Sequence, residues 1–374
     1  MPIPMMCMEI NQYVARGIRE PAMFDLCFNA SSAMPGYLTS RCVVYRLSHD
    51  DFSENIRSHV REATILSIGD VDLLFKALKV VSRLPNLQNV ILYSSKHLSP
   101  GFIEALVAHP RRPTLELLDQ DGTMKAPMKL SPVSSLHAAV DVGAGIHEGP
   151  NSRLLALQKL LFACPNLRSL SLSVVDQHDH CNLRHLMFPS ITNFHLSEPD
   201  VFPPIKDLSL NGYQIGHLEW PHWRDGFRWD QLSSLTLGPQ PDRHNLGLLT
   251  GYVQHLRHFT LLAYNEEESV PAEDIDRFLM AFTSLVHLEI RGHSCSVEAV
   301  TNHPGLVHIC LHECERSPEQ LTQSGLSIHR ETLTAPDLEL LHSRCPHIED
   351  LEIDCNRRDG QWVKHTSKVY DTNH

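Results

Sequence analysis

FTSLVHLEI at residues 282–290 and HPGLVHICL at 303–311 are one phrase written twice. Each has a bulky or Pro-containing lead, then apolar residues at positions i, i+3 and i+5: Leu285, Leu288 and Ile290, then Leu306, Ile309 and Leu311. The same phrase appears as LPNLQNVIL from Leu84, CPNLRSLSL from Cys164, FPSITNFHL from Phe188 and PPIKDLSL from Pro203. It returns as DQLSSLTL from Asp230, VQHLRHFTL from Val253 and CPHIEDLEI from Cys345. Weaker copies are VREATILSI from Val60, PRRPTLEL from Pro110 and SPVSSLHAAV from Ser131. Side chains alternate along a strand, so i+3 and i+5 share a face and the phrase predicts a short strand with one buried side.

Spacing decides what kind of array this is. The first apolar positions of the strong copies are Leu87, Leu167, Ile191, Ile205, Leu232, Leu256, Leu285, Leu306 and Ile348. Weaker copies placed at 63, 112 and 133 bring most steps near the roughly 20–29 residues of a leucine-rich repeat. Outside that range fall 191 to 205, which is too short for a strand plus a helix, 306 to 348, which leaves room for an insertion, and 133 to 167. Helix signals lie between phrases. They are Asp70 to Val81, Ser99-Pro100 to Val107, Asn151-Ser152 to Leu161, Ser269 to Phe282 with acids in its first turn, and Thr334 to Cys345. The expected fold is therefore α/β: a leucine-rich-repeat solenoid with short parallel strands on the concave face and helices on the convex face. One such unit buries too little to fold alone, so units come as arrays. The array is expected over 56–356, after an N-terminal segment, 1–55, and before a polar tail, 357–374.

If i, i+3 and i+5 face the core, i+2, i+4 and i+6 face outward, and the alignment becomes a surface map. The copy at Leu167 offers Ser169, Ser171 and Ser173; those at Ile191 and Ile205 offer Asn193, His195, Ser197, Asp207, Ser209 and Asn211. The C-terminal copies differ. They offer His258, Thr260 and Leu262; His287, Glu289 and Arg291; His308, Cys310 and His312; and Asp350, Glu352 and Asp354. This charged, histidine-rich set is the candidate site for a protein or peptide partner. Its plainer reading is a polar sheet face that is only solvated.

Other chemistry is thinly represented. With 374 residues, 42% hydrophobic and 20% charged, the chain should bury a core. A formal charge of −12 without basic runs argues against nucleic acid and against an anionic membrane. No apolar run approaches a membrane span, and the N-terminus lacks a cationic-then-apolar leader. The ten cysteines form no CxxC pairs, which fits reduced thiols in an intracellular protein, cytoplasmic or nuclear. Cys164 and Cys345 precede Pro at equivalent positions and read as packing residues. His308, Cys310, His312 and Cys314 recur at period two; one metal could take two of them, with His287 as a neighbour, but a polar stripe is the plainer reading. Gln177 to Cys181 looks like a loop and is a poor tetrahedral set. Neither a metal nor another cofactor is expected, no nucleophile or phosphate-loop motif occurs, and a zinc-dependent enzyme is a distant alternative. The aromatic segment EWPHWRDGFRW, 219–229, breaks the rhythm and is expected to pack locally within an insertion, its alternative being an exposed contact hot spot.

The LPNL, CPNL, HPGL and CPHI copies, most of them trailing an apolar helix, resemble the leucine-rich-repeat half of fungal F-box-type proteins over roughly residues 55–356. HVREATILSIGDVDLLFKALKVVSRLPNLQNVIL looks like the start of that region. The resemblance implies a substrate-recognition subunit of a cullin-type ubiquitin ligase, docking an adaptor through an N-terminal F-box. The first 50 residues carry no LPxE-type opening, and MPGYLTSRCVVYRLSHDDF looks at most like the tail that follows one. A truncated product, a divergent F-box and a repeat-containing binding or accessory protein with no ubiquitin link all stay open.

Overall fold

The computed structural model describes residues 25–29, 57–58, 60–66, 81–93, 100–120, 129–141, 150–175, 201–213, 215, 219–238, 243–263, 270–312 and 333–353. The chain divides into two compact units, residues 1–168 and 169–374. In the first, β1 (Asp25–Asn29), β2 (Glu62–Leu66), β3 (Asn89–Tyr93), β4 (Thr114–Gln120) and β5 (Val133–Asp141) pair in chain order, each pair parallel. The second unit pairs β6 (Ser169–Val175), β7 (Asp207–Asn211), β8 (Ser234–Leu237), β9 (His258–Leu262), β10 (His287–Arg291), β11 (His308–His312) and β12 (Asp350–Ile353) in the same way.

Parallel neighbours need a crossover, and among the described residues a helix lies in seven of the connections. These helices are α1 (Pro100–Ala108), α2 (Pro150–Ala163), α3 (Trp220–Gly226), α4 (Arg243–Leu249), α5 (Ala272–Leu279), α6 (Val297–Thr301) and α7 (Ala335–Arg344). Pro100 starts α1, where its missing N–H costs nothing. In α7 a capping box closes the first turn: Asp337 N–H donates to Thr334 Oγ1 at 3.4 Å, and Thr334 N–H donates to Asp337 Oδ2 at 2.8 Å. Ser296 caps α6 through Ala299 N–H at 3.2 Å. The short helices α3, α4 and α6 were not among the expected ones. The expected helix at 70–81 lies almost wholly outside the described residues.

Burial follows the phrase. Leu87, Val90 and Leu92 are buried, as are Ile205, Leu208 and Leu210, Leu256, Phe259 and Leu261, and Leu285, Leu288 and Ile290. A further buried position precedes them at i−3. It holds Leu84, His109, Leu130, Cys164, Phe202, Trp229, Val253, Phe282, His303 and Cys345. From there a tight turn leads into the strand: the N–H at i donates to the carbonyl at i−3, as in Leu87 to Leu84 (3.2 Å), Leu232 to Trp229 (3.3 Å) and Leu306 to His303 (3.1 Å). The N–H at i+1 then donates to the preceding repeat's i+1 carbonyl: Ser233 to Lys206, Arg257 to Ser233, Val286 to Arg257 and Val307 to Val286, each at 2.8 Å. One contact repeated four times sets the register before each strand begins.

Several expectations change in detail. The first weak copy starts at Val60, not 63, because Val60, Ala63 and Ile65 are the buried trio and Ala63 pairs with Val90. The copy at 112 is in register, yet Arg112 is exposed with φ 47° and Pro113 takes the buried place. β6 pairs directly with β7, and the copy expected at 191 lies outside the described residues, as all of 176–200 does. The aromatic segment does not break the rhythm, since Trp229 occupies the i−3 column. Trp223, Phe227 and Trp229 are buried with Phe202, ring centroids 4.5 Å apart for Phe202–Trp223 and 4.3 Å for Phe227–Trp229. Trp229 Nε1–H donates to the Trp223 carbonyl at 3.0 Å. Cys164 and Cys345 are buried, as expected.

Candidate functional site

Register across β9–β12 turns the outward positions into three rows. At i+2 stand His258, His287, His308 and Asp350; at i+4 Thr260, Glu289, Cys310 and Glu352; at i+6 Leu262, Arg291 and His312. Asp354, expected next in the third row, lies outside the described residues. Neighbouring strands stand about 4.8 Å apart, so equal positions on adjacent strands become neighbours whatever their distance in sequence.

The first row is a histidine ladder ending on an acid. Ring centroids are 6.0 Å apart for His258–His287 and 5.6 Å for His287–His308, and His308 Nδ1 lies 2.7 Å from Asp350 Oδ2. Burial lowers the His287 pKa, and His308 and His258 on either side add to the shift while Glu289 opposes it. The shift favours the neutral ring, which can donate from one nitrogen and accept at the other.

The second and third rows form a charge network. Arg291 Nε–H donates to Glu289 Oε1 at 2.5 Å, and Arg291 Nη2 is 3.7 Å from Glu352 Oε2. The other oxygen, Glu352 Oε1, is 3.0 Å from His312 Nε2. His312 and Arg291 hold the Glu352 carboxyl below its usual range, His312 having the larger effect. Cys310 differs from the expectation of an outward-facing residue. It is only 8% exposed, and burial pushes its thiol up to about 12. A protonated thiol is a weak nucleophile. Burial acts in the same direction on Cys164 and Cys295, both pushed up to about 12, and on Cys345.

The period-two run did not predict its own partner. Ligand atoms of Cys310, His312 and Glu352 lie within 4.8 Å of one another, so the neighbour that completes the group comes from β12 and not from His287. Cys314 and the segment 177–181 lie outside the described residues. Nothing in sequence spacing could have joined Cys310 to Glu352, because 42 residues separate them and only the β11–β12 register aligns them.

Neither the family models nor the curated proteins compared with this chain match it. Among the described residues, no helix is long and apolar enough to cross a membrane.

Proposed function

We propose that this chain is a protein-interaction scaffold of the leucine-rich-repeat type, binding a protein or peptide on the outward face of β9–β12 and carrying out no catalysis itself. The observation that carries this reading is the three-row grid. Four adjacent strands present imidazoles, carboxylates and a guanidinium on one side, while the other side of β9 and β10 is core and that of β11 and β12 is covered in part. Recognition of a polar segment needs such donors and acceptors held on rigid elements. The resemblance to F-box-type repeat proteins supports a finer role, that of holding a substrate for a cullin-type ubiquitin ligase.

β1 favours a second reading without the ubiquitin link. Asp25–Asn29 adds a parallel strand to β2, inside the stretch where the family resemblance would put a docking element. A strand continuing the ladder there suits a repeat protein of another kind. The test is purification of the full chain from its host under native conditions beside a His258→Ala, His287→Ala, Asp350→Ala variant. A partner lost from the variant supports the face. Partners retained in full refute it, and purification without adaptor or cullin subunits removes the ligase role alone.

A further inference from the structure

We propose that Cys310, His312 and Glu352 form a site for a thiophilic divalent cation, zinc by its donor set, which clips β12 to β11. A thiolate, an imidazole and a carboxylate are the three ligand types zinc takes, and soft sulfur disfavours magnesium and calcium. Their ligand atoms already lie within 4.8 Å of one another, and His312 Nε2 is 3.0 Å from Glu352 Oε1. With metal–ligand bonds of about 2.0–2.3 Å, atoms on a tetrahedral edge stand roughly 3.3–3.7 Å apart. Small side-chain rotations therefore bring all three onto one ion.

The surroundings suit a cation despite the nearby guanidinium. Arg291 approaches Glu352 Oε2, which leaves Oε1 on the side of His312. On binding, the Cys310 S–H bond breaks, a sulfur–metal bond forms and the proton passes to the buffer. The thiolate and the carboxylate then cancel the two charges of the ion. The Glu352 side chain is half exposed, so water can fill the fourth position.

β12 is also the strand with the most to gain. On β10, Leu288 and Ile290 are fully buried, but on β12 Leu351 and Ile353 are only partly covered, and Ile348 before them is too. Its ladder begins with Glu349 N–H and Asp350 N–H donating to the Val307 carbonyl at 2.9 and 3.1 Å. An ion held by two residues of β11 and one of β12 joins strands whose apolar contact is thinner than elsewhere in the unit.

The test uses the full chain, stripped with chelator and titrated with cobalt(II) as the spectroscopic stand-in for zinc. The expected result is a thiolate-to-cobalt charge-transfer band saturating near one equivalent. Cys310→Ser should abolish it, and His312→Ala or Glu352→Gln should weaken binding about 100-fold or more, since outer partners of metal ligands alone account for about 10–100-fold. Cys295→Ser and His287→Ala should leave the band unchanged. Zinc should slow hydrogen exchange across 350–353 in the wild type and not in Cys310→Ser, whose circular dichroism checks that it is folded. No band, or a band of equal strength in Cys310→Ser, overturns the site. Stoichiometric binding with unchanged exchange at β12 overturns the clip.

Discussion

Replacing Gly292 with Ala tests how closely the strands of the second unit approach at their C-terminal ends. Gly292 follows β10 with φ +82°, and its N–H donates to the His312 carbonyl at 2.6 Å. Next to it, Ala263 N–H donates to the Arg291 carbonyl at 2.8 Å, so the backbones of three repeats meet there. A Cβ on Gly292 would sit 2.3 Å from the Ala263 oxygen, 2.9 Å from its carbonyl carbon and 3.0 Å from its Cβ. The left-handed backbone costs an L-residue about 1–2 kcal/mol. Relieving the overlap by backbone shift adds about 1–3 kcal/mol, typical of overpacking. The total, roughly 2–5 kcal/mol, lowers the melting midpoint of a unit of about 200 residues by roughly 5–20 °C.

Gly251→Ala is the internal control. It shares the left-handed conformation, φ +87°, but an added Cβ meets nothing within 4 Å. Only the conformational cost applies, about 1–2 kcal/mol. Thermal unfolding followed by tryptophan fluorescence reads both variants, since Trp223 and Trp229 are buried in this unit. Equal destabilisation by the two substitutions would mean that the Ala263 carbonyl does not press on Gly292, and the close approach would be refuted.

Two further predictions follow from burial and charge. His293 and His303 are buried, and burial lowers each from the ordinary histidine value of 6.5 to about 4. Below pH 6.5 the unfolded chain takes up protons that the folded one refuses, so stability should fall as pH drops from about 6.5 to 4, by about 3 kcal/mol per histidine. His303→Leu should flatten that decline in urea titrations, and an unchanged slope would contradict the assignment. By contrast, Glu289→Gln, Asp350→Asn and Glu352→Gln together should move the metal-free unfolding free energy by no more than about 1–2 kcal/mol, because exposed ion pairs contribute about 0–1 kcal/mol each. A much larger loss would show that these side chains hold the fold and do not simply face outward.

What the sequence disclosed depended on how far each residue's neighbour lies along the chain. Leu285, Leu288 and Ile290 belong to one phrase, and their common burial is a local matter of alternation. The i−3 column was visible as a lead residue but disguised by its chemistry, because a tryptophan, a histidine and a cysteine do not look equivalent until each closes the same turn. Ala63 misplaced the first copy: its small side chain reads equally well as a start or as a middle, and only pairing with Val90 decides. α6, five residues long, is too short for periodicity to register, and β1 carries no lead at all. The candidate group at Cys310 was half legible. Cys310 and His312 are two residues apart, whereas Glu352 arrives from across the sheet.

The division of labour within a repeat narrows where a function can reside. Across β7–β10, positions i−3, i, i+3 and i+5 are taken by the core, and the backbone at i and i+1 is committed to the turn and the ladder. That leaves i+2, i+4 and i+6 as strand positions whose side chains the fold does not dictate. In the second unit these begin as Ser169, Ser171 and Ser173 and become His287, Glu289 and Arg291, then His308, Cys310 and His312. Small serines already suffice to solvate such a face, and histidines ranged 5.6–6.0 Å apart add nothing that solvation needs. Nor does folding call for a buried thiol beside a carboxylate. The change of residue type at positions the core leaves free is therefore the strongest reason to look for binding across β9–β12, and the ladder that aligns those strands is what makes distant residues act as one surface.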